Sequence, residues 1–184
     1  MAKNTKYIFC LEGDWTADLR CKQSIKSTLD YLENCFNIKY IHCKCVTKEQ
    51  LYYYLKEAMK AKYRKYSILY FAFHGTPDYI DVGDDDVSMS DIMEFCKGKL
   101  HNRIIHFGSC STLKIPLCYI NEFKEETGTI SLSGYKKDMD FTPSTVLDIL
   151  LFEAWQFCND SSEIKRYMNH NYKEIMKKQG FYIK

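Results

Sequence analysis

What this sequence withholds narrows its function first. No charge of one sign dominates: 26 lysines and arginines stand against 24 aspartates and glutamates, a formal net charge of +2. Nucleic-acid binding by phosphate neutralisation needs a strong basic excess, so no nucleic-acid partner is expected. The one dense basic run, Lys60-Ala61-Lys62-Tyr63-Arg64-Lys65, reads as a solvated helix end, where cations suit the helix dipole. No apolar run reaches bilayer-spanning length and no secretory leader follows Met1, so no membrane partner is expected either. A disulfide framework is also lacking, because the nine cysteines are odd in number and irregular in spacing. These absences point to a reducing cytoplasm, with most thiols serving as small buried hydrophobes. Proline occurs three times. No repeat, linker or low-complexity tract interrupts the chain, so residues 1–184 read as a single domain.

What is present is apolar patterning. Hydrophobic residues make up 46% of the chain, enough to bury a sizeable core without a partner. Strands are expected at 7–11, 38–45, 67–73, 104–108 and 129–133, the last closed by Gly134. Helices are expected at 19–36, with Ile25, Leu29 and Leu32 on one face, and from a capping box at Thr47-Lys48-Glu49-Gln50. Further helices are expected from Ser90 to Cys96, from Pro116 to Glu126, at 142–158 and at 161–178. The acidic stretch from Asp78 to Asp86 reads as a loop holding a small hairpin at Tyr79-Ile80-Asp81-Val82, with Asp84-Asp85-Asp86 as a solvated turn. This alternation predicts an α/β fold with a mostly parallel central sheet and helices on both faces. The helix at 142–158 is apolar almost all round, which predicts burial.

Two residues carry the chemistry. His74 follows the apolar run Ser67–Phe73 and precedes Gly75; Cys110 follows Ile104–Gly108, within Ser109-Cys110-Ser111. Parallel strands of an α/β sheet end side by side at the carboxyl edge, where ligands bind. A thiol and an imidazole delivered there can meet as nucleophile and base, and the small neighbours keep Cys110 accessible. Backbone N–H groups of Gly75 and Cys110 are the expected donors to an oxyanion, since glycine permits close approach. Either residue alone is more often structural; the pair is the signal.

The pattern of an apolar strand before His74-Gly75 and another before Ser109-Cys110-Ser111 resembles the caspase-like cysteine peptidases of clan CD. Within these, the CHAT branch is the nearest in pattern. There a further strand ends in a serine-rich turn followed by an acid and a helix, which Ser133-Gly134-Tyr135-Lys136-Lys137-Asp138-Met139-Asp140 resembles. The resemblance implies a caspase-like three-layer αβα sandwich and an endopeptidase with a Cys110–His74 dyad. It needs no cofactor and takes a protein or peptide as substrate. It also implies a pocket bordered by Ser133 and Gly134, in which Asp138 or Asp140, with Asp140 preferred, pairs with Arg or Lys before the cut. The same acids would equally suit the N-terminus of the helix that follows. By family analogy such members serve microbial stress or antiphage responses. No sensor segment is evident, so control by a protein partner or by a homo-oligomer is expected.

Other chemistries are set aside. Cys110-Ser-Thr-Leu-Lys-Ile-Pro116 lacks the arginine of a phosphatase loop, and Glu12-Gly13-Asp14 is too sparse for a nucleotide loop. His42-Cys43-Lys44-Cys45 alternates faces along a strand and has no second ligand pair, so no metal is expected. Asp84-Asp85-Asp86 lacks the glycine and glutamate of a calcium loop. Two alternatives stay open: a catalytically inactive relative acting as an interaction or signalling module, and a receiver-like domain.

Overall fold

The computed structural model describes residues 5–184. Its centre is a six-stranded sheet built from β1 (Ile8–Glu12), β2 (Tyr40–Lys44), β3 (Ile68–Ala72), β7 (Ile104–Gly108), β8 (Ser131–Tyr135) and β9 (Phe181–Ile183). Their order is β2-β1-β3-β7-β8-β9. The first five strands are parallel, and β9 returns antiparallel to β8. Parallel strands need crossovers, and those crossovers cover both faces with helices.

Alternation along each strand divides the core. Ile8, Cys10, Ile68 and Tyr70 face a layer of α1 (Lys26–Phe36), α5 (Phe141–Ala154), α6 (Ser161–Asn171) and α7 (Lys173–Gln179). Phe9, Leu11, Leu69 and Phe71 face α2 (Lys48–Ala58), α3 (Met89–Cys96) and α4 (Leu117–Thr127). The α/β class with a mostly parallel sheet is therefore as expected. Among the described residues no helix is long and apolar enough to cross a membrane.

Several expected boundaries are corrected. Residues 19–25 are not helical, because Glu12 captures the Ser24 hydroxyl and the Ile25 amide and starts α1 only after them. The acidic loop is a second, three-stranded antiparallel sheet of β4 (His74–Thr76), β5 (Tyr79–Val82) and β6 (Asp85–Ser88). Asp85 and Asp86 thus lie in a strand, paired with Val82 and Asp81, and not in a free turn. Ser88, not Ser90, caps α3, through a reciprocal box with Asp91. Thr47 does cap α2, but the Gln50 side chain accepts from Val46 N and leaves the box half made. Gly134 lies inside β8 rather than after it: a Cβ there would sit 2.8 Å from the Phe107 carbonyl oxygen. The last expected helix is broken at Tyr172 into α6 and α7.

Helix α5 is buried along most of its length, though Val146 stays exposed. Its buried carboxylate, Asp148, accepts from His106 Nε2 (2.8 Å), Tyr135 OH (2.6 Å) and Tyr70 OH (2.7 Å). Three donors from β3, β7 and β8 meet the requirement that a buried charge be hydrogen-bonded, and they pin α5 across the sheet.

Candidate active site

The sheet delivers His74 and Cys110 to one edge. Strands β3 and β7 are neighbours, with Ala72 opposite Gly108. His74 begins β4 one residue after Phe73, and Cys110 lies in the turn that follows β7. The Gly75 backbone packs on that turn: a Cβ there would lie 2.5 Å from Thr112 Oγ1 and 3.0 Å from Ser109 Cβ. The imidazole is exposed and the thiol half-buried, so both reach solvent.

The cysteine turn is held from three sides. Ser109 and Thr112 hydroxyls are bonded at 2.7 Å, Thr112 Oγ1 donates to Tyr79 O, and Asp78 N donates to Thr112 O. Ser111 sits in the left-handed region at φ 55°, a conformation that costs a non-glycine residue about 1 kcal/mol. Its amide donates to Lys137 O at 3.0 Å and its hydroxyl to Asp138 Oδ1 at 2.6 Å, which offset that cost. The Cys110 thiol points toward Met139 O, 4.0 Å away.

Sequence reasoning missed Trp15. Its carbonyl accepts the His74 Nε2 proton at 2.8 Å, and its ring lies edge-on to the imidazole at 5.3 Å. Fixing the proton on Nε2 leaves Nδ1 as the basic nitrogen. The indole also meets Phe141 at 5.6 Å. Contacts thus run from His74 through Trp15 to Phe141, two residues past Met139, whose carbonyl lies 4.0 Å from the Cys110 thiol. The indole N–H donates to Glu12 Oε1 at 2.6 Å. Glu12 is fully buried and also accepts from Ser24 Oγ (2.7 Å), Ile25 N (2.7 Å) and His42 Nε2 (2.5 Å). Burial alone would raise its carboxyl, but the bonds from His42, Trp15, Ile25 and Ser24 hold it at about 2. A second missed carboxylate, Asp81, pairs with His74 in register across β4 and β5, and burial and the neighbouring Asp86 raise its pKa. One tryptophan three residues past a carboxyl strand end was the only local sign of the Trp15 contact.

The other expected residues separate. Asp138 is committed to the Ser111 hydroxyl. Asp140 precedes α5, is exposed, and its carboxylate makes no hydrogen bond or ion pair among the described residues; its amide donates to Gln179 Oε1 and its carbonyl accepts from Ser144 N. Ser133 and Gly134 require correction. Both are buried, and the Ser133 hydroxyl is held by His106 Nδ1 (2.9 Å) and Ile105 O (3.2 Å). Inside β8, neither offers a side chain to a pocket. The Cys110 amide makes no hydrogen bond among the described residues, which leaves it available as a donor.

The model of one protein family matches residues 5–184. The chain belongs to that family of unknown function, DUF6642. No curated protein matches the sequence significantly. Among solved structures, this DUF6642 chain is similar to the complex of Porphyromonas gingivalis RgpB pro- and mature domains. The TM-score is 0.59 at 11% identity, covering 98% of this chain and 47% of that one. It is also similar to a secreted C11 cysteine protease from Bacteroides thetaiotaomicron bound to an irreversible peptide inhibitor, with TM-score 0.58, 11% identity and coverage of 95% and 59%. The chain thus spans about half the length of the solved relatives it matches. The fold is that of clan CD-like cysteine proteases.

One consequence for this DUF6642 chain concerns Gly75, where an added methyl would collide with the Ser109 and Thr112 side chains. Gly75→Ala is expected to destabilise the protein by about 1–3 kcal/mol, the usual range for overpacking. Urea unfolding checks this; a change within about 0.5 kcal/mol would show that the turn yields freely.

Proposed function

We propose that the chain is a cysteine endopeptidase. Its fold relatives are cysteine proteases, which supports a hydrolase at the coarse level. The observation that carries the reading is the placement of His74, its imidazole bonded to the Trp15 carbonyl, and of Cys110 just past the carboxyl ends of the neighbouring strands β3 and β7. In the proposed reaction His74 Nδ1 takes the Cys110 proton, and the thiolate adds to the scissile carbonyl carbon. The Gly75 and Cys110 amides hold the resulting oxyanion. The imidazolium then protonates the departing amine, and water, deprotonated by the same nitrogen, releases the acid and restores the thiol. Within the clan the motif pattern is similar to the CHAT branch, a likeness that rests on residues 74–75, 109–111 and 133–140.

Reagent selectivity tests the pair. Burial pushes the Cys43 thiol up to about 11 and those of Cys45 and Cys96 to about 12, so these react slowly. Cys21, Cys35 and Cys118 are exposed and serve as internal references. Iodoacetamide is expected to label Cys110 at least about 10-fold faster than these three, and His74→Ala to abolish the difference. Uniform labelling would favour an inactive binding relative.

The free carboxylate of Asp140 supports a preference for Arg or Lys before the cut. Asp140→Ala is expected to lower kcat/KM on such peptides by about 10-fold or more. Cleavage after Asp or after apolar residues in a substrate-profiling screen would refute the charge argument.

A further inference from the structure

The face of the sheet edge opposite His74 and Cys110 holds a cavity of about 550 Å³, lined by Thr5, Lys6, Arg64, Lys65, Ser67, Asn102, Ile104, Ile130 and Asn159. The lining collects the amino ends of the central strands: Lys6 precedes β1, Ser67 precedes β3, Ile104 opens β7 and Ile130 precedes β8. Three of the lining residues are cations and none is an acid. We propose that this cavity binds a small oligophosphate, such as a nucleoside triphosphate or an inorganic phosphate chain.

The cations differ in their commitments, and that difference supports a ligand. Lys6 Nζ donates to Trp155 O (2.9 Å) and Cys158 O (3.0 Å) at the carboxyl end of α5, which fixes the ammonium at the cavity wall. Burial lowers its pKa, the direction in which a third, anionic partner would be welcome. Arg64 and Lys65 are exposed, and their side chains make no ion pair or hydrogen bond among the described residues. Two uncommitted cations that converge on a concave wall repel one another, a cost that an anion between them removes. The nearest carboxylate, Glu163, is turned onto the Asn159 amide and side chain, at 2.7 and 3.2 Å. Asn102, held in the left-handed region at φ 63°, and Ser67 add neutral donors suited to phosphate oxygens. The volume excludes an extended polymer but accommodates a nucleotide-sized molecule. The site owes nothing to a glycine-rich loop: five separate chain segments assemble it.

The test uses the full chain carrying Cys110→Ala, so that its outcome is independent of peptidase activity. Sodium tripolyphosphate and ATP, each at 1–5 mM without added metal, are expected to raise the melting temperature by about 5 °C, the shift expected of a ligand near 100-fold over its Kd. Arg64→Ala combined with Lys65→Ala, both at exposed positions, is expected to abolish the rise. Lys62→Ala, a surface cation outside the cavity, leaves it intact. A rise with both ligands assigns the phosphate chain as the recognised group, and a rise with ATP alone assigns a nucleotide; either supports the proposal. No rise with either ligand, or a rise that survives the double substitution, overturns it.

Discussion

Replacing Cys110 with alanine is expected to lower kcat/KM for peptide hydrolysis by about 10⁴-fold, while His74→Ala lowers it by about 10³-fold. The double variant should be no worse than Cys110→Ala alone. That non-additivity is the sharper result, because a nucleophile and its base act as one unit: without sulfur there is no proton for the imidazole to take. Fold damage would give a different pattern. The His74 side chain is exposed and its loss removes one hydrogen bond, to Trp15 O, worth about 1 kcal/mol. The Cys110 side chain is half-buried and small. Both variants should therefore melt within a few degrees of the parent. Kinetics on fluorogenic peptides ending in Arg or Lys, read beside thermal melts, decide the matter. Retained hydrolysis in Cys110→Ala would remove this thiol from the chemistry and with it the peptidase proposal.

The placement of His74 and Cys110 at one sheet edge was legible because both signals are local. An apolar strand followed by a glycine or serine turn marks a carboxyl sheet edge, and the parallel order of β3 and β7 then follows from the crossover between them. Trp15 was not legible, since it acts through a carbonyl that every residue possesses. Glu12 was hidden for a related reason: its partners are spread from Trp15 to His42, and nothing in a five-residue strand announces that its last side chain turns inward. Strand β6 escaped because Asp85 and Asp86 disfavour strands and are held there by pairing with β5. Strand β9 is three residues long and joins β8 across about fifty residues of chain, a contact no window of sequence contains. Ser133 shows the converse error. A serine near a strand end fits a pocket rim, but strand alternation turned its hydroxyl toward His106 in the core.

Removing the Glu12 carboxylate should be the most damaging single change to stability near the site. Glu12→Ala strands four donors, from Trp15, Ser24, Ile25 and His42, in a region where water cannot replace them fully. The expected cost is about 3–5 kcal/mol by chemical denaturation. The pH dependence separates this from simple loss of packing. The folded carboxyl titrates at about 2, below its ordinary value of 4.5. The native state therefore binds fewer protons than the unfolded chain, and the stabilisation is complete above about pH 4.5. It fades as the pH falls through the window and is gone near pH 2, a swing of roughly 3 kcal/mol. In Glu12→Ala that part of the acid limb should flatten. Activity should suffer as well, by about 10–100-fold at temperatures where the variant is still folded, since the freed indole no longer holds the Trp15 carbonyl against His74. Glu12→Gln keeps an acceptor for Trp15 and should recover most of the activity, yet it cannot recover the acid limb. An activity loss in Glu12→Gln equal to that of Glu12→Ala would assign Glu12 a role in the charge of the site itself rather than in the placement of Trp15.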